Sequence, residues 1–243
     1  MSFRRALAAA SLLLALVMAL PATAQHGAGV QQVLQRARAA TGGAGWNTLR
    51  GYHEVGSENG RPYERWVDAV RWGERIEAGA APGKIVQGYN GFGLWWLPLS
   101  TPRPPGTETE LMRRARSDAY FAAYGYFFTG RFDVRSTRLG VRVSGDKPYD
   151  VVRIQPVGGD ARELWFERAT GRLGRIVEDG TLQPKTVEFS DYRRVGRLML
   201  PFQITTYGRG RAQPDRRQLE RIEFLAPDRA MFSLPRAEPP RTR

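Results

Sequence analysis

The stretch that most constrains the fold of this chain runs from Arg162 to Tyr207. It consists of short runs rich in Val, Ile, Phe, Tyr and Trp. Gly-containing turn segments separate these runs, and glycine lets the backbone reverse direction between strands. The separators are Ala169-Thr170-Gly171, Asp179-Gly180 and Val195-Gly196. This pattern predicts an antiparallel strand meander.

Apolar and polar side chains alternate along the last two runs of the meander. Val187 and Phe189 should lie on one face of the sheet, with Glu188 on the other. A period of two is typical of a sheet with one apolar and one wet face. By the same alternation we expect Phe202 and Ile204 to join Val187 and Phe189 on a concave, apolar face.

The rest of the chain supplies more strands and two helices. Val30–Ala40 is predicted to be an amphipathic helix with Val30, Val33, Leu34 and Ala37 on its apolar face. About five strands follow between Leu49 and Pro98. After the Pro-rich loop Ser100–Gly106, a second helix is expected from Glu108 to Phe127 or Phe128, and about six strands come after it. The prediction is an α+β fold in which a long antiparallel sheet of about 10–11 strands curls around two helices.

The N-terminal segment 1–24 has the pattern of a secretory signal peptide. Arg4 and Arg5 form a basic start, an apolar run continues to Leu20, and Ala22-Thr23-Ala24 forms a small-x-small cleavage site. The apolar run is shorter than the about 20 residues that a membrane anchor needs. We therefore expect an exported, periplasmic chain in which residues 25–243 form one domain.

Composition excludes several classes of site. The chain has no Cys, so thiol chemistry, disulfides and Cys-based zinc sites are excluded. The formal charge of +13 falls to +11 without Arg4 and Arg5. Export argues against nucleic acid as the partner of this basic chain, whereas an anionic membrane surface would suit it. An Arg-rich genome composition is the alternative explanation of the charge.

No catalytic motif stands out, and the sequence indicates no catalytic residue, metal or cofactor. There is no Gly-x-Ser-x-Gly, no phosphate-binding loop and no His-Glu-x-x-His. Of the two histidines, His26 lies in the N-terminal region and His53 in a strand, where we expect a solvated side chain. Asp68 is expected to pair with an arginine, although a cavity carboxylate is the alternative.

Several segments resemble the LolA/LolB-like superfamily of periplasmic lipoprotein carriers. They are YERWVDAVRWGERIEAG, GYNGFGLWW, ELWFERATGRLGRIVE, FSDYRRVGRLMLPFQITT and MFSLP. The closest resemblance is to the N-terminal region of exported bacterial proteins that carry a retropepsin-like domain. Neither Asp-Thr-Gly nor Asp-Ser-Gly occurs, so we expect this sequence to lack the protease part. The resemblance implies a half-open β-barrel whose hollow binds acyl chains of lipids or lipoproteins.

The expected function is therefore a non-catalytic periplasmic carrier of lipid or lipoprotein acyl chains, acting as a monomer. The helix from Glu108 to Phe127 would be the lid of an apolar cavity. The expected lining is Trp66, Leu111, Met112, Ala115, Ala119, Tyr126, Val187, Phe189, Phe202 and Ile204. Two alternatives remain at this stage: a cell-envelope interaction module with a filled core, and a hydrolase with an unrecognised site.

Overall fold

One antiparallel sheet of twelve strands dominates the structure, a computed structural model that describes residues 22–97, 108–128, 130–178, 185–208 and 212–235. This confirms the predicted α+β class with a curved sheet that does not close. The strands are β1 (Gly51–Glu58), β2 (Arg61–Asp68), β3 (Gly73–Ala78), β4 (Ile85–Tyr89), β5 (Leu94–Leu97), β6 (Val134–Ser144), β7 (Lys147–Pro156), β8 (Arg162–Glu167), β9 (Leu173–Glu178), β10 (Lys185–Val195), β11 (Leu198–Gly208) and β12 (Asp215–Leu225).

The order of the strands leaves an opening at one place. The sheet runs β5-β4-β3-β2-β1-β12-β11-β10-β9-β8-β7-β6, so β1 pairs with β12 and the two edges are β5 and β6. Five strands precede the second helix, as predicted, and seven follow it where about six were expected. The segment that connects β5 to β6 must therefore pass from one edge of the sheet to the other.

The first helix, α1, spans Ala22–Ala40 and so begins before the predicted start at Val30. Its predicted apolar face is confirmed, because Val30, Val33, Leu34 and Ala37 are all buried. The helix packs beside β6 and β7. Burial of one amphipathic face is the usual source of stability for a helix of this kind.

The second helix, α2, spans Glu108–Ala122 and ends earlier than the predicted Phe127 or Phe128. It stops because Tyr124 adopts a left-handed backbone conformation, with φ of 52°, before the short 3-10 helix Gly125–Phe127. Gly125 suits this corner because a Cβ atom there would lie 2.3 Å from the Tyr120 ring.

Two predicted features fall largely outside the described residues. They are the signal peptide, apart from its last three positions, and the Pro-rich loop Ser100–Gly106. Across the described ranges, no helix combines the length and the hydropathy needed to cross a membrane.

One part of the concave side is filled by aromatic side chains. The Trp46 ring lies 4.8 Å from both Tyr124 and Phe127, and Tyr126 lies 4.6 Å from Phe127. Trp46 is fully buried, and its indole Nε1 donates to Thr41 Oγ1 at 3.1 Å. Aromatic rings in tilted and edge contacts contribute large apolar area and fixed geometry. These rings belong to the main hydrophobic core, on which the apolar face of α1 also packs.

The C-terminal segment is fastened to the edge of the sheet by Trp95. Its indole Nε1 donates to the Phe232 carbonyl oxygen at 2.8 Å, and Phe232 is buried over Gly73. The Trp95 ring lies over its cross-strand partner Gly88, where an added Cβ would be 2.3 Å from the indole. Gly88 is therefore required by the position of Trp95.

Gly88→Ala should lower the free energy of unfolding by about 1–3 kcal/mol, because the new methyl group would displace the Trp95 ring. Gly83→Ala is the matched control, since its Cβ would have no neighbour closer than 3.8 Å. Urea unfolding of both variants measures the difference. Equal stability of the two variants would show that Trp95 is not fixed by this contact.

Candidate functional site

The concave face of the sheet and α2 together bound a cavity of about 540 Å³. This volume lies within the range of about 300–1,000 Å³ that is usual for pockets that hold small ligands. The sequence predicted an apolar lining, but the lining is mixed in character. One part is apolar and aromatic, and another part carries paired charges.

One face of α2 forms the roof of the cavity. Residues three, four and seven positions apart share a helix face. Both apolar and charged side chains of the helix point into the cavity, so the roof is mixed in polarity. Its lining members are Leu111, Arg114, Ala115, Asp118, Phe121 and Ala122.

Strands β9 to β11 supply the apolar wall. Ile176 of β9, Val187 and Phe189 of β10, and Ile204 of β11 line the cavity. Phe189 and Ile204 are cross-strand partners, and so are Val187 and Ile176. Apolar side chains at neighbouring positions make a continuous surface for a hydrocarbon group.

Tyrosines form a further part of the cavity lining. The Tyr52 hydroxyl donates to the Ala122 carbonyl oxygen at 2.6 Å, and the Tyr192 hydroxyl donates to the Leu173 carbonyl oxygen at 2.7 Å. Burial raises the pKa of Tyr52 and of Tyr192 above the ordinary value. Both phenols therefore stay neutral and act as positioned donors that tie the cavity to α2 and β9.

Strands β1 to β3 supply the first charged wall, which we call the acidic group: Glu54, Arg65 and Glu74. Arg65 Nη2 lies 2.6 Å from Glu74 Oε1, and Arg65 Nη1 lies 3.7 Å from Glu54 Oε2. Burial raises the pKa of the Glu74 carboxyl above its ordinary value, although the positive charge of Arg65 opposes this rise. Two carboxylates here share one guanidinium.

The second charged wall, which we call the basic group, joins α2 to strands β8, β9 and β10. It consists of Arg114, Asp118, Arg162, Glu178 and Lys185. Asp118 and Arg162 form a short hydrogen-bonded ion pair. Arg162 Nε lies 3.2 Å and Lys185 Nζ 3.4 Å from Glu178 Oε1, and Arg114 Nε lies 3.9 Å from Asp118 Oδ2. Three cations here share two carboxylates.

The basic group keeps Asp118 ionised. Burial alone would raise the pKa of this carboxyl, but the positive charges of Arg162, Lys185 and Arg114 outweigh burial. They hold the pKa of Asp118 well below its ordinary value. The Asp118–Arg162 pair thereby fixes the roof helix to β8.

Comparison with solved structures identifies the architecture. A LolA superfamily protein from Nitrosomonas europaea matches with a TM-score of 0.57 at 14% identity, covering 84% of this chain and 97% of that one. The chain has a LolA-like fold. A domain described as an outer membrane lipoprotein-sorting protein, from Vibrio parahaemolyticus, matches with a TM-score of 0.50 at 12% identity, covering 82% and 92%.

The evidence of relationship is structural. No protein-family model matches the sequence, and no curated protein matches it. Identities this low establish a shared LolA-like architecture alone, so function has to be argued from the cavity. The predicted likeness to proteins with a retropepsin-like domain stays a prediction.

Six of the ten residues predicted to line the cavity of the LolA-like fold do so in the structure. They are Leu111, Ala115, Tyr126, Val187, Phe189 and Ile204. The other four, Trp66, Met112, Ala119 and Phe202, are not among its lining residues. These four residues are therefore not part of the proposed ligand site.

Trp66 lies on the outer face of the sheet. Arg65 lines the cavity, and successive strand residues point to opposite faces. Trp66 stacks on His53 at 4.3 Å, and His53 Nε2 lies 2.9 Å from Glu64 Oε2. The sequence predicted a solvated His53, but its ring packs on Trp66 and pairs with Glu64. Asp68 pairs with an arginine, as expected, because its Oδ2 accepts from Arg71 Nε at 2.8 Å.

Ala119 and Met112 face the sheet beside the cavity. Ala119 is fully buried against Tyr89 of β4, and Met112 packs on the same small cluster. The helix is rotated so that its charged positions, Arg114 and Asp118, point into the hollow. The hydrophobic stripe in the sequence does not reveal this rotation. It predicts that Ala119 is buried, but not whether Ala119 faces a packed core or a cavity.

Phe202 is buried in the core, away from the cavity lining. Strict alternation fails in β11, where Leu200, Pro201 and Phe202 are buried in succession. On the neighbouring strand Asp191 has a φ of 51°, which interrupts regular pairing. The guanidinium of Arg193 covers the Phe202 ring at 4.6 Å.

Asp118→Asn should lower the free energy of unfolding by about 1–3 kcal/mol at neutral pH, because it leaves Arg162 short of a charged partner. The folded pKa of Asp118 is depressed, so its stabilisation is present above the unfolded value of about 3.9 and is lost as the pH falls towards the folded pKa. The gap between wild type and variant should thus shrink below about pH 4.

Urea unfolding at several pH values measures this gap. Asp146→Asn, in an exposed turn, is the control and should change little. A stability difference for Asp118→Asn that stays constant down to acid pH would contradict an ionic role for Asp118.

Proposed function

We propose that this chain is a non-catalytic periplasmic binding or carrier protein that holds an acyl chain of a lipid or lipoprotein in the cavity under α2. The observation that carries the proposal is the hollow of about 540 Å³ with a continuous apolar wall. Hydrocarbon packed against Ile176, Val187, Phe189 and Ile204 would leave water and gain the usual hydrophobic stabilisation.

Two further observations support binding over the alternatives. A packed interaction module would fill its core at close to crystalline density, whereas this half-barrel is hollow below its roof helix. Among the lining residues that the structure describes there is no Ser, Cys or His to act as a nucleophile or base. The carboxylates of the lining are engaged with arginines instead of being paired with each other.

The proposed source of the ligand is an anionic membrane surface or a lipoprotein. The basic composition, with a formal charge of +11 when Arg4 and Arg5 of the N-terminal signal are left out, supports transient contact with anionic head groups. The LolA-like fold gives the proposal its structural precedent, because one matched domain is described as a lipoprotein-sorting protein. The protein would act as a monomer exported by its N-terminal signal.

Val187→Trp should weaken the binding of a fluorescent fatty acid by about tenfold or more while the melting temperature falls only slightly. The indole would fill space that the wild type leaves empty, so it competes with the ligand instead of overpacking the core. Titration with the fluorescent fatty acid and thermal unfolding measure the two effects.

Val143→Trp is the matched control, because Val143 is 67% exposed on the edge strand β6. It should bind the fatty acid like wild type. The proposal fails if wild type does not bind the fatty acid, or if Val187→Trp destabilises the fold strongly and leaves binding unchanged.

A further inference from the structure

The charged part of the cavity is an unfavourable place for a hydrocarbon tail. Ions are costly to bury, and a tail placed against them would remove water without replacing its hydrogen bonds. A wholly apolar ligand would therefore fit only the wall formed by β9 to β11. The charged lining indicates a ligand that also has a polar end.

The basic group has an excess of positive charge. Within the group, as far as the described residues show, the three cations Arg114, Arg162 and Lys185 are paired with two carboxylates, Asp118 and Glu178. The Arg162 side chain is only 5% exposed, and its Nε atom lies 3.2 Å from Glu178 Oε1 in a geometry that makes no regular hydrogen bond. Because this Nε atom is itself covered, a ligand anion would meet the basic group at the partly exposed Arg114 and Lys185, and Arg162 would add its charge from beneath them.

The looser contacts of the basic group belong to the two cations that a ligand can reach. Arg114 Nε lies 3.9 Å from Asp118, beyond hydrogen-bond range, and Lys185 Nζ lies 3.4 Å from Glu178. Both side chains keep partial exposure, at 24% and 22%. Each can turn toward an anion without breaking a short ion pair.

The acidic group offsets this excess only in part, because the charge of Glu74 acts on Arg162 while Glu74 itself is bonded to Arg65. Glu54 and Glu74 share Arg65 on the opposite wall, at β1 to β3. Apart from Arg217, the cavity lining has four cations and four carboxylates, so the positive excess is local to the basic group. Arg217 is held by Glu58 at 2.7 Å and lies over the Tyr63 ring, so it is engaged elsewhere.

The basic group lies at one end of its strands. Arg162 is the first residue of β8, Glu178 is the last of β9, and Lys185 is the first of β10. Apolar side chains follow on the same inner face, with Ile176 two residues from Glu178 and Val187 two residues from Lys185. Charge at the strand ends and hydrocarbon further along match a ligand with a head and a tail.

We propose that the cavity selects a single-chain amphiphile with an anionic head group, a carboxylate or a phosphate. The head lies on Arg114, Arg162 and Lys185, and the tail lies along Ile176 and Val187. An anion at this point accepts hydrogen bonds from Arg114 and Lys185 and balances the third cation. An ammonium head would add a fourth cation to the group. This inference rests on the proposed binding function.

A head-group series of amphiphiles with one dodecyl tail tests the selection. Laurate, dodecyl phosphate, dodecanol and dodecylammonium would each displace the neutral fluorescent probe phenylnaphthylamine from the wild-type protein. The anions should bind about tenfold or more tightly than the alcohol, and the ammonium compound should bind most weakly. Laurate and dodecyl phosphate distinguish a carboxylate site from a phosphate site.

Arg114→Gln should reduce the preference for the anions over dodecanol to about twofold or less, while dodecanol binds as before. Lys185→Gln serves as a second variant in case Arg114→Gln does not fold. Arg113→Gln is the matched control, since Arg113 lies on the exposed side of the same helix and pairs with Asp160 outside the cavity.

The outcomes separate the inference from the proposed function. If none of the four compounds displaces the probe, the binding function itself fails. If all four bind equally, or if the ammonium compound binds best, the function stands and the anionic selection is overturned. Equal loss of anion binding in Arg113→Gln and Arg114→Gln would also overturn it, because the effect would then be general surface charge.

Discussion

The pairing of β1 with β12 is the constraint on which the rest of this structure depends. It joins the two ends of the strand series, so the free edges of the described sheet are β5 and β6. Those strands are consecutive in the chain, and the segment between them carries α2. The helix therefore has to cross the opening, where Asp118 binds Arg162 of β8 and Ala119 packs on Tyr89 of β4.

This arrangement explains why the cavity contains charge. A helix that roofs a hollow cannot be held by dense apolar packing on its cavity side, because nothing fills the space beneath it. Directional ion pairs can hold it across a gap, although buried pairs contribute little net stability and mainly specify geometry. The basic group thus orients α2 and gives the cavity a polar end. One set of residues serves the fold and the proposed ligand site.

Much of the fold could be predicted from the sequence because strand periodicity is a local signal. The alternation around Val187 and Phe189 and the apolar face of α1 both survive in the structure. Only part of the site could be predicted, because tertiary contacts decide which face of a strand or helix points into the cavity. Asp191, with a left-handed φ, breaks the alternation near Phe202, and α2 is rotated away from its alanine stripe. The ion pairs join residues as distant as Asp118 and Arg162, which no local pattern reports.

Native mass spectrometry of the protein isolated from the cells that express it tests the central claim most directly, because it observes the occupant of the cavity without choosing a probe. The account predicts one amphiphile per chain, released on unfolding and identifiable as a single-chain anionic lipid. Recovery of the bare polypeptide mass alone, from protein that is folded and was never exposed to detergent, would contradict it.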